Sequence, residues 1–454
     1  MKPISTSEVP DAEVRTSKHQ DGPAVTAVKS GRIVSVDALR GLTILLMVFV
    51  NDLGRGAPSW MHHIQPPNAD GMTLADVVFP TFLFIVGVSI PLALERARAA
   101  GESRAKRLGH IFLRTATLLL MGVIELNSND ARTFGGPLWG LLAFTALILA
   151  WCAVPREPDW KRNFLLAVKI LGGVGLLVLL AIYRRDPVSA EIPFRGQVED
   201  WVWLRTGWWG IVGLIGWAYL TVSLLYLLLG EHREWLMGAL ALLMTLHLAM
   251  RNGGLFTHLD TKNWLGVAAG PLAALGRAID ELGRYVSLSD ALGSLAAITM
   301  AGCLLGTVLR RGSDVTGHRA RISWALMFTA GLLLAGCLTD TFEGINKIAA
   351  TPTWCFWCAG LACLVWVLLY LLLDVAGLRG WSILVRPAGA NPLVAYFLHP
   401  IVVEAVSLAG FGGTVLAYTK SADPWVVVGG SLGMAAFVCI TAGLAGRLGL
   451  RMRL

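Results

Sequence analysis

Two adjacent histidines, His62 and His63, stand in a polar stretch with Asn51 and Asp52 before it and Asp70 and Asp76 after it. A histidine can take a proton near neutral pH, and a nearby carboxylate fixes its tautomer and raises its basicity. These residue types suit a general base, and they equally suit a solvated connector or a weak metal site. Three further polar groups interrupt apolar sequence. Asp37 and Arg40 are spaced i, i+3, which allows a local ion pair or a ligand contact. Asp340, Glu343, Asn346 and Lys347 precede Trp354, and Asn391, Tyr396 and His399 lie in a late apolar run. Asn391 and His399 share roughly one helix face; such a histidine serves packing as readily as ligand binding. An ionisable group at a bilayer centre costs about 2.5–3.5 kcal/mol. Polar clusters in different helices therefore suggest a common polar cavity.

The elements that must position these groups are membrane helices. Hydrophobic residues make up 55% of the 454 residues and charged residues 15%, with a mean hydropathy of +0.62. Lipid must be the solvent for much of such a surface. The apolar runs fall at 34–53, 74–94, 110–127, 137–154, 164–183, 209–229, 235–250, 290–309, 323–340, 354–373, 388–410 and 425–445. Runs of about 18–22 residues cross roughly 30 Å of hydrocarbon. The expected fold class is all-α, a polytopic membrane helix bundle of twelve transmembrane helices within a range of eleven to thirteen. The run at 235–250 is short, and 263–285 has room for a re-entrant or interfacial helix. Residues 1–31 are polar and lack an apolar signal region, so they are expected to form a disordered cytoplasmic tail. Residues 32–454 then make one membrane domain whose first span is an uncleaved insertion signal.

Orientation follows from the basic loops. Arg96, Arg98, Arg104, Lys106 and Arg107, then Arg156, Lys161 and Arg162, then Arg310, Arg311, Arg319 and Arg321, and finally Arg447, Arg451 and Arg453 all fall on one side of a twelve-span chain. By the positive-inside rule that side is cytoplasmic, with both termini. The loop at 54–73 and the longer connections 184–208 and 251–289 face the other side. The net charge of +8 is thereby explained, and no nucleic-acid partner is expected. Trp201, Trp203, Trp208, Trp209 and Trp264 read as an interfacial aromatic belt or as a platform for sugar rings. The seven cysteines lie in or beside apolar runs, so packing is expected even of the Cys355/Cys358 pair. No phosphate-binding loop, HExxH or GxSxG motif occurs. No internal repeat is evident, which counts against transporters built from inverted repeats.

The run SVDALRGLTILLMVFVND (Ser35–Asp52), followed by HHIQPPNADGMTLADVVFPTFLFIVGVSIPLAL (His62–Leu94), resembles the opening of the heparan-α-glucosaminide N-acetyltransferase family. LGSLAAITMAGCLLG (Leu292–Gly306), GINK (Gly344–Lys347) and GANPLVAYFLH (Gly389–His399) are weaker echoes. In length and extra central spans the chain is similar to the bacterial NagX-like branch, which implies the bacterial inner membrane. The resemblance implies acetyl transfer from cytoplasmic acetyl-CoA to a glucosamine-type amino sugar across the membrane, with no metal. It implies His63 as catalytic base or transient carrier of the acetyl group, with His62 the alternative by ungapped count. It also implies roles for Asn51 and Asp76 beside the base, Asp70 being the alternative carboxylate. Asp37, Arg40, Asn391 and Lys347 become candidates for holding the acetyl donor, although Lys347 falls on the far side in the expected topology. HHIQPP departs from the family's HAxW pattern. NagX-like proteins have also been regarded as permeases, so proton-coupled amino-sugar transport through Asp76, His63 and His399 is the rival reading. A homodimer is among the assemblies left open.

Overall fold

The computed structural model describes residues 33–155, 158–192, 196–251, 269–286, 290–383 and 385–452. The expected tail at 1–31, Arg156 and Trp264 lie outside the described residues.

The helices are α1 (Val34–Asp52), α2 (Leu74–Ala99), α3 (Arg104–Asn127), α4 (Pro137–Ala150) and α5 (Asp159–Ile182). A two-stranded antiparallel hairpin follows, β1 (Val188–Ile192) and β2 (Gly196–Trp201). The chain continues with α6 (Gly210–Leu229), α7 (Arg233–Arg251), α8 (Ala269–Val286), α9 (Leu295–Leu309), α10 (His318–Glu343) and α11 (Pro352–Tyr370). It closes with α12 (Arg386–Ala390), α13 (Pro392–Leu408), α14 (Gly412–Val415) and α15 (Pro424–Leu448). Each expected span contains a helix. Among the described residues, nine helices are long and apolar enough to cross a membrane, and α4 and α13 are shorter apolar helices. The 14 residues of α4 rise only about 21 Å, less than the hydrocarbon thickness. They pack instead against α5 and α13. The stretch at 263–285 does contain a helix, α8.

Helix boundaries follow local chemistry. Proline opens α4, α11, α13 and α15 in the first turn, where its missing N–H costs nothing. Ser103 and Asp423 accept hydrogen bonds from Lys106 N (3.2 Å) and Trp425 N (2.9 Å) as N-caps. Glycines at 230, 344 and 449 end α6, α10 and α15 with positive φ. The span expected as one helix at 388–410 is instead broken at Asn391, whose φ of −140° and ψ of 56° are non-helical. Pro392 causes this break, because a proline forces its predecessor out of the α region. The hairpin in the 184–208 connection was not expected. It uses an alternating Val-Ser-Ala-Glu-Ile run whose register shift between Val188 and Ala190 obscures the period.

Buried α9 forms the centre; each residue from Leu295 to Leu309 is buried, against α2, α6, α7 and α11. Glycine permits the tightest of these contacts. A Cβ on Gly87 would sit 1.9 Å from Thr299 O, and one on Gly302 would sit 1.9 Å from Phe84 O. Small residues at such crossings are how membrane helices gain packing energy without a hydrophobic drive.

The bundle has two polar ends. At the basic end Asp374, just past α11, accepts hydrogen bonds from Val34 N (3.1 Å) and Ser35 N (2.9 Å), so it caps α1 from across the chain. Asp374→Ala is expected to cost about 1–2 kcal/mol, read as a lower unfolding midpoint in detergent; an unchanged midpoint would remove the cap from the stability account. The end of α1, the start of α2, and the α10–α11 turn meet at the other end, which carries His63.

Candidate functional site

His63 and Asp76 form the centre of the site. Thr73 and Asp76 are the first and last residues of a T-x-x-D capping sequence that starts α2, with Asp76 Oδ2 reaching back to Thr73 N at 3.1 Å. The same oxygen accepts from Ile64 N (3.1 Å) and the Thr73 hydroxyl (2.9 Å), and Asp76 Oδ1 stands 2.7 Å from His63 Nδ1. With its other oxygen occupied by donors, Asp76 serves as the acceptor, so Nδ1 carries the proton and donates it to Oδ1. That tautomer leaves His63 Nε2 as the bare acceptor. The Asp76 side chain is 1% exposed and that of His63 is 51% exposed. The dyad thus pairs a fixed, buried carboxylate with an accessible imidazole.

A second segment completes it. Gly344–Lys347 lies on the histidine loop. Asp70 Oδ1 accepts from Ile345 N (2.7 Å), Gly71 N donates to Ile345 O (2.8 Å), and Asn346 Nδ2 donates to Pro67 O (2.9 Å) and Ala69 O (3.0 Å). Gly344 has φ +64°, and a Cβ there would meet Asp70 Oδ1 at 2.8 Å, so both conformation and space require glycine. These bonds bring Lys347 Nζ to 3.2 Å from His63 Nδ1 and 3.9 Å from Asp76 Oδ1. Burial pushes the Lys347 ammonium below the ordinary lysine range, and Asp76 pulls it partly back.

A separate cavity of about 200 Å³ lies beside the end of α1, lined in part by Asn51, Glu125, Ser128, Tyr396, His399 and Glu404. Behind it, buried Asp52 meets His399 Nε2 at 3.1 Å and accepts from the Tyr418 hydroxyl at 2.6 Å. The Tyr396 hydroxyl donates to Glu125. The polar residues anticipated to share one cavity therefore divide into two groups. Among the described residues no hydrogen bond joins Asn51 to His63, and Asn51 lines this cavity.

Other candidates also move. Lys347, a candidate for the donor's phosphates beside Arg40, stands with His63 because the Asn346 and Asp70 bonds fix its loop there. Asp70, the alternative carboxylate for the histidine, is occupied by Ile345 N. The side chain of Asn391 is spent on the chain's own backbone: Nδ2 donates to Leu450 O (2.9 Å) and Ala442 O (3.4 Å), and Oδ1 accepts from Met452 N (3.2 Å). Asp37 and Arg40 form the ion pair that their spacing allows, at 3.6 Å. Arg40 also donates to Gly389 O (3.3 Å) and Ser89 Oγ (3.1 Å). His62 is half-buried; its carbonyl and Asp76 Oδ2 share the one Thr73 hydroxyl proton, while Nε2 is buried without a hydrogen-bond partner among the described residues. Glu125, Ser128, Glu404 and Tyr418 are polar residues that the sequence did not single out. Glu125 is an acid inside an apolar run, a signal that could have been used. Tyr418 follows a glycine-rich loop and carried no signal.

Comparison with known proteins bears on these residues. Residues 32–268 match a family model described as a domain of unknown function, DUF5009, more than half of the chain. The chain belongs to the DUF5009 family. This DUF5009 protein is also 40% identical over 107 residues to heparan-alpha-glucosaminide N-acetyltransferase of Mus musculus, covering 24% of the chain and 16% of that protein. With the Homo sapiens protein of the same name the identity is 41% over 98 residues, covering 22% and 14%. The DUF5009 protein is thus related to these enzymes, through a match that spans a small part of their length. Lys347 lies beyond the residues matched by the DUF5009 model.

Proposed function

We propose that this protein is a membrane-embedded acetyltransferase that moves acetyl from cytoplasmic acetyl-CoA to the amine of a glucosamine-type sugar on the opposite side. The observation that carries this reading is the His63–Asp76 dyad with Lys347 beside it. His63 Nε2 takes the proton from the acceptor's amine, and Asp76 holds Nδ1–H so that Nε2 faces outward. Lys347 offers N–H donors where negative charge develops on the acetyl carbonyl oxygen. Acetyl-CoA supplies the activated acetyl group. The residues around His63 fit such a donor's carbonyl, since a half-buried ammonium lies beside the base. Asp37–Arg40 fits its phosphates poorly, because Arg40 is already held by Asp37, Gly389 and Ser89. The distribution of arginines supports a cytoplasmic basic end, and on that reading His63 lies on the far side. The likeness to heparan-alpha-glucosaminide N-acetyltransferase supports the amino-sugar acceptor.

Purified protein in detergent, given acetyl-CoA and glucosamine, is expected to release CoA only when both are present. Absence of sugar-dependent release would reject the reading. The cavity with Glu125 and His399 favours one rival, a proton-coupled amino-sugar permease. Sugar uptake into liposomes lacking acetyl-CoA would support that rival.

Lys347 gives a finer prediction. Lys347→Met is expected to lower turnover by about 10–100-fold. Wild-type activity should fall on the alkaline side below the ordinary lysine range, because burial lowers the pH at which the ammonium is lost. Lys347→Arg, which stays charged, should keep turnover measurable and remove that alkaline fall. An alkaline limb unchanged in the arginine variant would show that Lys347 does not titrate in catalysis.

A further inference from the structure

At the basic end, the last turn of α2, the first turn of α3 and the last turns of α6 enclose a cleft of about 500 Å³. Its polar wall contains Arg98, Arg104, Arg107, Glu95 and Glu231. The acids are already engaged. Glu231 meets Arg98 at 3.4 Å and Arg310 at 2.5 Å, and Arg310 reaches Glu95 at 3.7 Å. Nearby Glu102 pairs with Lys106 at 3.0 Å and with His110 at 3.5 Å. Arg104 and Arg107 have no carboxylate within 4.0 Å among the described residues, and Arg107 Nε is buried without a hydrogen-bond partner. Of the three arginines that line the cleft, Arg104 and Arg107 are the two left without a carboxylate. No acidic residue occupies the first turn of α3, so the positive end of that helix adds to both guanidinium groups.

The other wall is apolar. Leu224, Leu227 and Leu228 descend from the helix end toward the bilayer interior, and Leu228 is 80% exposed. Unpaired arginines at the membrane surface above a leucine wall suit a ligand with a phosphate head and a hydrocarbon tail. A wholly soluble phosphate compound would leave the leucines without a partner. We propose that this cleft binds an anionic phospholipid, its phosphate on Arg104 and Arg107 and an acyl chain along Leu224, Leu227 and Leu228. This site is independent of the acetyl-transfer reading.

The test uses the full chain, stripped of lipid in detergent, with phosphatidylglycerol or phosphatidylcholine added back and thermal unfolding recorded. Phosphatidylglycerol is expected to raise the midpoint by about 3 °C or more over phosphatidylcholine. Arg104→Gln/Arg107→Gln should lose that difference, while Arg104→Lys/Arg107→Lys should keep at least half of it. An Arg319→Gln variant, elsewhere on the basic end, should keep all of it. Equal effects of the two lipids, or a full difference in the glutamine variant, would overturn the proposal. Coenzyme A is the control for soluble phosphate. If it displaces phosphatidylglycerol and stabilises through the same two arginines, the cleft belongs to a soluble ligand and the lipid assignment fails.

Discussion

Replacing His63 with alanine is expected to lower sugar-dependent CoA release by about 10²–10⁴-fold, the range of a lost general base. The fold should survive, because the imidazole is about half exposed and the loop is held by bonds that do not involve it. Those bonds run from Asn346, Asp70 and Gly71 across the loop. Binding of acetyl-CoA, followed by thermal shift, should change little, which separates lost chemistry from lost structure. His62→Ala provides the contrast. His62 lies against Thr73 through its carbonyl, and its ring makes no contact with the carboxylate among the described hydrogen bonds. Its alanine variant should retain most of the turnover. If His62→Ala were the inactive variant and His63→Ala active, the base assignment would pass to His62 and the dyad would lose its role.

Asp76→Asn should be nearly as damaging, with turnover lower by about 10²–10³-fold. The argument rests on proton placement. An asparagine can present its oxygen to Ile64 N and Thr73 N, and asparagine caps helices well, so α2 should still begin at Leu74. Its amide nitrogen would then face His63 Nδ1 and donate to it. That bond favours the tautomer with the proton on Nε2, the atom that must be bare to accept the substrate proton. The expected signature is a fall in kcat at nearly unchanged thermal stability. A variant within threefold of wild type would show that the carboxylate supports the loop and nothing more. An unfolded variant would show that the Thr73–Asp76 cap dominates; comparison with Thr73→Ala, which leaves Asp76 in place, would then separate the two roles.

The helices were legible because lipid imposes a length and an apolar composition on each span, and few other constraints produce runs such as Val77–Val88. Capping chemistry set their ends closely: Thr73, Pro352 and Pro424 are all recognisable in the sequence. The His63–Asp76 partnership was also within reach, since both residues flank one helix start. Lys347 was not, because its approach depends on hydrogen bonds between Asn346, Asp70 and loop carbonyls, which have no spacing rule across 270 or more residues. Asn391 misled for the opposite reason. An asparagine in an apolar run looks available for a ligand, while here the backbone around Ala442–Met452 takes both ends of its amide. The split into two polar groups depends on helix rotation, which hydropathy does not report.

The contact between Lys347 and His63 joins residues 284 positions apart, and the Asp374 cap on α1 closes over 340 and 339 positions. A ribosome delivers such a chain from its N-terminus, so α1 and α2 enter the bilayer long before the segments that complete them exist. Until α11 has been laid in, the first helix keeps two unanswered N–H groups and the histidine stands without its lysine. On the acetyl-transfer reading, the dyad then lacks its third group until the chain has passed Lys347. Water at the membrane surface answers those N–H groups in the interval, and Asp374 displaces it when the later helices arrive.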